Sequence, residues 1–184
     1  LYMMKATKKR TRSAKEEEED SSDSTEECVV VVRDCIYFSA GVEPKHIVKL
    51  IRAMDEASDY ALKSCLWPCH ARIYLYINSG GGCAFSGLSA MDHIRNSRVP
   101  VVTIADGYVA SAATFLLLGG SERKSMRNAK ILIHQFSTYF AGKYADLLDE
   151  VENSKELMES FRQVYANHTS LRGKELNSLL SKEL

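Results

Sequence analysis

One serine lies at the start of a strongly apolar run, where its type and position suit a nucleophile. Ser111 belongs to GYVASAATFLLLGG, residues 107–120. A serine at a junction between a turn and a helix points its hydroxyl beside backbone N–H groups that have no partner within the helix. Its neighbours Ala110, Ala112 and Ala113 are small, which is also typical of close packing. The run by itself therefore leaves two interpretations open, a nucleophile and a tightly packed helix start.

A serine hydroxyl needs a base before it can attack at neutral pH, so a histidine must be found for it. Of the five histidines, His134 differs because it closes the apolar segment AKILIH at the expected carboxyl end of a strand. The others lie in helical segments, in a loop or at a helix end: His46, His70, His93 and His168. His134 is then either a base for Ser111 or an ordinary hydrogen-bonded residue at the edge of a sheet.

Backbone N–H groups at two places could hold a developing negative charge. The stretch NSGGG, residues 78–82, lets the chain approach an anion closely, although it lacks the lysine of a Walker phosphate loop. An acyl-transfer site needs only one or two N–H groups at this point. The second would come from Ala112, directly after Ser111, where the dipole of the following helix favours negative charge.

Strand-like and helix-like segments alternate through the chain and predict the scaffold for these groups. CVVVVRDCIYFSA predicts a strand pair or one bent strand, and a helix begins near Pro44. ARIYLYI (71–77), VPVVTIA (99–105) and AKILIHQ predict buried strands. A helix between the first two is indicated by Phe85, Leu88, Met91 and Ile94. This order predicts an α/β fold of repeated right-handed βαβ units on a mostly parallel sheet, whose strands carry ligands at their carboxyl ends.

A long amphipathic helix is predicted from Gly142 to about His168, and a further helix in GKELNSLLSKEL. The apolar stripe of the long helix comprises Leu147, Leu148, Val151, Leu157, Met158, Phe161, Val164 and Tyr165. The helix is longer than average, so it either projects to pack against another subunit or covers the sheet.

Composition limits the classes of function. With 24 basic and 24 acidic residues the chain has no net charge, so we expect no nucleic-acid partner, and no apolar run is long enough for a membrane span. Residues 1–27, basic and then acidic, are expected to be a disordered tail before one domain, 28–184. Five irregularly spaced cysteines indicate reduced thiols in an intracellular, cytoplasmic protein, while the basic run leaves nuclear or organelle import open. CLWPCH lacks the second ligand pair of a metal site.

The motifs YLYINSGGG, GYVASAATFLLLGG and NAKILIHQ, in this order, resemble the ClpP-type serine peptidases, the proteolytic subunits of Clp protease. The likeness covers about residues 28–184 and implies the ClpP/crotonase-like fold with a long projecting helix. By this resemblance Ser111 is the nucleophile and His134 the general base. The resemblance also implies an oxyanion hole made by Gly82, with Gly81 beside it, and by Ala112.

The sequence departs from the family pattern at three places. Glu183 stands where the family has the aspartate of its catalytic triad, and Gly80 stands where it usually has proline. The glycine that often follows the nucleophile in the family is replaced in SAAT, residues 111–114. Glutamate can also orient a histidine, but with an additional methylene. The family domain extends beyond Leu184, so we expect the natural chain to continue.

The resemblance implies an endopeptidase that hydrolyses unfolded polypeptides inside a heptameric ring, stacked into a tetradecamer and fed by an ATP-driven AAA+ unfoldase. It implies no cofactor. A non-catalytic ring subunit is an alternative that the substitution at Glu183 keeps open. A more remote alternative is a crotonase-type acyl-CoA enzyme, which shares the architecture and an oxyanion hole of two backbone N–H groups.

Overall fold

The computed structural model describes residues 28–181. The charged segment 1–27, predicted above to be a disordered tail, and Glu183 lie outside the described residues. The strands are β1 (Val29–Val32), β2 (Cys35–Phe38), β3 (Ile73–Ser79), β4 (Val101–Ala110), β5 (Glu122–Ser125) and β6 (Lys130–Leu132). The α-helices are α1 (Pro44–Ser64), α2 (Ala84–Arg95), α3 (Ala113–Gly119), α4 (Tyr144–His168) and α5 (Gly173–Leu180).

The described strands form one sheet in the order β1-β2-β3-β4-β5, with β6 paired to β4. Every pairing is parallel except that of β1 with β2. Helices α1, α2 and α3 connect the successive parallel strands β2, β3, β4 and β5, as a parallel sheet requires. The predicted α/β fold on a mostly parallel sheet is confirmed.

The core lies between the sheet and these helices. Alternate residues of β2 and β3 are fully buried, and the helices contribute apolar side chains at helical spacing: Ile36, Phe38, Ile73, Leu75, Ile77, Leu50, Ala57 and Leu116. Tyr37 and Tyr76 point to the other face of the sheet, where their rings stack with centroids 4.9 Å apart. The period-2 pattern of β3 thus fixes which face carries the helices.

Strand β4 is longer than its apolar pattern predicts and carries the chain to the candidate site. The sequence indicates a turn around Gly107, but the strand continues through it to Ala110. Its register against β3 shifts between Ile77 and Ser79, where extra residues of β4 form a bulge. The bulge includes Gly107 at φ 81°, so the backbone bends there without leaving the sheet.

Three local predictions were wrong. The segment AKILIHQ was predicted to be a buried strand, but β6 is exposed at Lys130 and Ile131 and half-buried at Leu132, because only β4 pairs with it. Phe85 was expected on the buried face of α2, but it is 63 % exposed, and the small residues Ser86, Gly87 and Ala90 face the core instead. Strand β5 was not predicted, because its sequence ERKS is exposed and has no apolar pattern. It is specified by its pairing with β4, from Val102 opposite Glu122 onward.

Helix α4 has two differing halves. Near its end it packs on α3, since the Phe115 ring lies 5.4 Å from the rings of both Phe161 and Tyr165. Nearer its start it leaves apolar side chains 45–52 % exposed: Leu147, Leu148 and Val151. None of the helices in residues 28–181 has the length and apolarity needed to cross a bilayer.

Candidate active site

Ser111 lies between the end of β4 and the start of α3, in a backbone conformation that few residues adopt. Its φ is 54°, in the left-handed region, which costs a non-glycine residue about 1–2 kcal/mol. The Ser111 N–H donates a hydrogen bond to the Leu132 carbonyl of β6 at 3.0 Å. The sheet therefore holds the strained residue in place, and strain of this kind is concentrated at functional sites.

The glycine turn after β3 is in direct contact with Ser111. A Cβ added to Gly81 would lie 2.6 Å from Ser111 Cβ and 3.1 Å from the Ala112 nitrogen. Gly81 has φ 99° and Gly82 has φ 147°, both unfavourable for L side chains. Only glycine at these positions lets the NSGGG turn approach the SAAT segment, residues 111–114, this closely.

The two glycines differ in what their N–H groups do. Gly81 N–H donates to Ser79 Oγ at 3.2 Å. Gly82 pairs with Val42, but the bonds of that pair run from Val42 N–H to Gly81 O and from Cys83 N–H to Val42 O. The N–H of Gly82 itself consequently points away from Val42, so of the two it is the one available to an incoming group.

Val42 was missed by the sequence reasoning. It is fully buried between β2 and α1, and a Cβ on Gly82 would meet its carbonyl oxygen at 2.7 Å. A lone valine in a loop gives no signal of this role, because its contribution is a backbone pairing and not its side chain.

Ala112 carries the second backbone N–H group that the sequence predicted for this site. It is the N-cap of α3 and is buried, with its nitrogen on the side that faces Gly81. The first N–H groups of a helix have no partner within it, and they lie at the positive end of the helix dipole. The segment thus presents a polar donor next to the Ser111 side chain.

His134 lies beside Ser111, although outside regular structure. Strand β6 ends at Leu132, two residues earlier than the predicted strand end, and pairs Leu132 with Ala110 of β4. The parallel register carries His134 past Ser111, and both residues line one pocket of about 30 Å³. Among the residues that the structure describes, no hydrogen bond joins the two side chains; such bonds are often long before substrate binds.

The rest of the pocket lining is mostly apolar, with Gln135 as a polar exception. Its apolar side chains come from α3, α4, the end of α5 and the loop after β6: Phe115, Phe136, Met158, Phe161, Tyr165 and Leu180. These side chains exclude water from one side of Ser111, which strengthens electrostatic interactions there. The sequence predicted several of them only as members of an amphipathic stripe.

Two other titratable groups have shifted pKa values, Cys83 directly after the glycine turn and His168, which does not line the pocket. Hydrogen bonds from the Ser86 side chain and backbone lower the pKa of the exposed Cys83 thiol, while partial burial opposes this. His168, at the end of α4, has a lowered pKa because of burial and the cations Arg95 and Arg123. Within residues 28–181 no group of three or more His, Cys, Asp or Glu side chains could hold a metal ion.

These elements form the ClpP-type α/β fold. It has a mostly parallel sheet, a serine at the carboxyl end of the longest strand, a glycine turn beside that serine and a long helix. The model of the Clp protease family matches residues 68–184. The chain therefore belongs to the Clp protease family, and its fold carries a Clp-type peptidase domain. The match includes the glycine turn, Ser111, His134 and Glu183.

The contact between Gly81 and Ser111 leads to a prediction. Gly81→Ala places a methyl group 2.6 Å from Ser111 Cβ in a left-handed conformation, so we expect a loss of about 2–4 kcal/mol in the free energy of unfolding. Chemical denaturation measures it. Gly80→Ala is the matched control, because nothing lies within 4 Å of its added Cβ. Equal losses in the two variants would contradict the close approach of the glycine turn to Ser111.

Proposed function

We propose that this chain is a serine endopeptidase that hydrolyses unfolded polypeptides or peptides. Ser111 is the nucleophile, and His134 is the base that takes its proton. The observation that carries the proposal is the strained Ser111, which shares a pocket with His134 and contacts the glycine turn through Gly81. Membership in the Clp protease family supports the same chemistry.

The reaction is acyl transfer in two steps. Ser111 Oγ attacks the peptide carbonyl while His134 accepts the hydroxyl proton, and the Gly82 and Ala112 N–H groups stabilise the oxyanion. His134 then gives the proton to the leaving amine, and water hydrolyses the acyl-enzyme with His134 again as base.

Glu183 is proposed as the acid that orients His134. Its role rests on the match of position with the family aspartate, as argued from the sequence. A carboxylate beside the imidazole selects the correct tautomer and stabilises the imidazolium that forms during attack. We also propose that residues 1–27 are a tail that precedes a single domain, 28–184.

The assembly is proposed to be a heptameric ring stacked into a tetradecamer, supplied with substrate by an ATP-dependent AAA+ unfoldase. Family membership supports ring assembly and supports a polypeptide as the substrate. The exposed apolar side chains of α4, Leu147, Leu148 and Val151, supply a surface for contact between subunits. We place the protein in an intracellular compartment, the cytoplasm, on the basis of its free cysteines.

A non-catalytic ring subunit is the second candidate. The absence of a hydrogen bond between Ser111 and His134 in the described part of the chain, and glutamate in place of aspartate at 183, favour it. The family match leaves the crotonase-type acyl-CoA enzyme without support.

Labelling of the full-length protein with a fluorophosphonate tests the proposal. We expect one covalent adduct by intact mass in folded protein and none after heat denaturation, because only an activated serine reacts. Glu183→Gln is expected to slow labelling by up to about 10⁴-fold, whereas Glu175→Gln, an exposed acid on α5, is not. Absence of an adduct in folded, assembled protein would make the non-catalytic subunit the better description.

A further inference from the structure

Two buried hydroxyl groups form a chain that ends at the Ser111 backbone. Thr114 is a polar residue in the otherwise apolar α3, and Tyr165 comes from α4; they are 2 % and 4 % exposed. Thr114 Oγ1 lies 2.6 Å from the Ser111 carbonyl oxygen and 2.7 Å from Tyr165 Oη. The Ser111 carbonyl also accepts the Thr114 N–H at 2.9 Å.

The donor and acceptor of each hydrogen bond between these hydroxyl groups and the Ser111 carbonyl follow from their chemistry. A carbonyl oxygen can only accept, so the single hydroxyl proton of Thr114 points to Ser111. Tyr165 must then donate its proton to Thr114 Oγ1. Burial raises the pKa of Tyr165, which keeps the phenol protonated as this donor.

The acceptor carbonyl belongs to the same peptide group as a proposed oxyanion donor. The Ser111 C=O and the Ala112 N–H lie in one planar trans peptide, and they point in opposite directions. Any force that fixes the direction of the carbonyl therefore fixes the direction of the Ala112 N–H. Hydrogen bonds to the carbonyl also polarise the peptide, which makes its N–H a better donor.

We infer that Thr114 and Tyr165 are positioning residues that aim the Ala112 N–H at the oxyanion and hold Ser111 in its left-handed conformation. The inference rests on the proposed function, because the oxyanion exists only if Ser111 attacks a carbonyl. It adds to that function a requirement from α4, since the outer hydroxyl belongs to a helix that is distant in sequence.

Thr114→Val tests the inference, because it removes the hydroxyl but keeps the branched shape and the backbone N–H bond. Losing an oxyanion donor outright costs about 10²- to 10³-fold in rate, so misaiming one is expected to lower kcat by about 10- to 100-fold on a fluorogenic peptide, with KM within about threefold. Thr114→Ser keeps a hydroxyl that can reach the same carbonyl and is expected to restore kcat. Tyr165→Phe, which loses only the outer bond, is expected to lower kcat by about 3- to 10-fold.

Thr103→Val is the matched control. Thr103 is fully buried and its hydroxyl donates to the Leu117 carbonyl of the same helix α3 at 2.7 Å, away from Ser111. It should lower the melting temperature as Thr114→Val does while its kcat stays at the level of the unchanged chain. If the fluorophosphonate labels the unchanged chain and Thr114→Val has the same kcat as that chain, the inference is wrong while the proposed function stands. An unchanged chain that neither labels nor hydrolyses peptide would overturn the proposed function, and the inference with it.

Discussion

Replacing Ser111 by alanine is expected to lower kcat by about 10⁶-fold and to abolish fluorophosphonate labelling. In the proposed mechanism Ser111 Oγ forms the acyl-enzyme, and no other group in the pocket can replace it there. Serine and alanine share the same Cβ, so the strain at φ 54° and the contact with Gly81 are unchanged. We therefore expect the melting temperature to stay within a few degrees, which separates loss of chemistry from loss of fold.

The measurement compares peptide hydrolysis, labelling and thermal unfolding of Ser111→Ala with those of Ser89→Ala. Ser89 is an exposed serine of α2 outside the pocket, and its replacement should leave all three at the level of the unchanged chain. Full labelling of Ser111→Ala would assign the nucleophile to another residue. Residual hydrolysis at the unchanged rate would exclude serine catalysis at this position.

The elements that position the site could be predicted wherever burial imposes a period. Helical spacing in α1 and apolar strand-like segments between glycine turns predicted the parallel sheet from their order. Strand β3 was predicted to be buried on both faces, but only alternate residues are buried and most of the others are half-buried. Strand β5 could not be predicted, because it lies at an exposed edge and is specified by the backbone of β4. Phe85 was placed wrongly because small residues allow α2 to approach its neighbours, a packing effect that a count of apolar residues does not contain.

At the site, the sequence predicted the reactive side chains and the segments that carry the backbone N–H groups, but not the backbone pairing that orients the glycine turn. Ser111 and His134 were predicted as nucleophile and base from residue type, position and the family resemblance, and their roles remain predictions. Val42 and the direction of the Gly82 N–H depend on a single pairing between distant loops. Thr114 did leave a signal, since a hydroxyl in the run SAATFLLL must find a partner when buried, but its partner Tyr165 is known only from the packing of α4 on α3.

His134→Ala is expected to lower kcat by about as much as Ser111→Ala, roughly 10⁶-fold, because nucleophile and base act as one unit. The register of β6 against β4 brings His134 alongside Ser111. The His134 side chain is only partly buried, and the loop that carries His134 is not part of the sheet. Its removal should therefore affect the melting temperature little. A purely structural histidine would show the opposite result, a lower melting temperature with kcat retained.

Addition of imidazole gives the decisive comparison. A small base that enters the space left by His134→Ala can accept the Ser111 proton, so imidazole should raise kcat of this variant in proportion to its concentration. It should not raise kcat of Ser111→Ala, where no hydroxyl remains to be deprotonated. His93→Ala, an exposed histidine of α2, is the control and should hydrolyse peptide at the unchanged rate. A His134→Ala variant with full activity would rule out His134 as the base. Equal loss in His93→Ala would show that the loss of activity is not specific to the histidine that shares the pocket with Ser111.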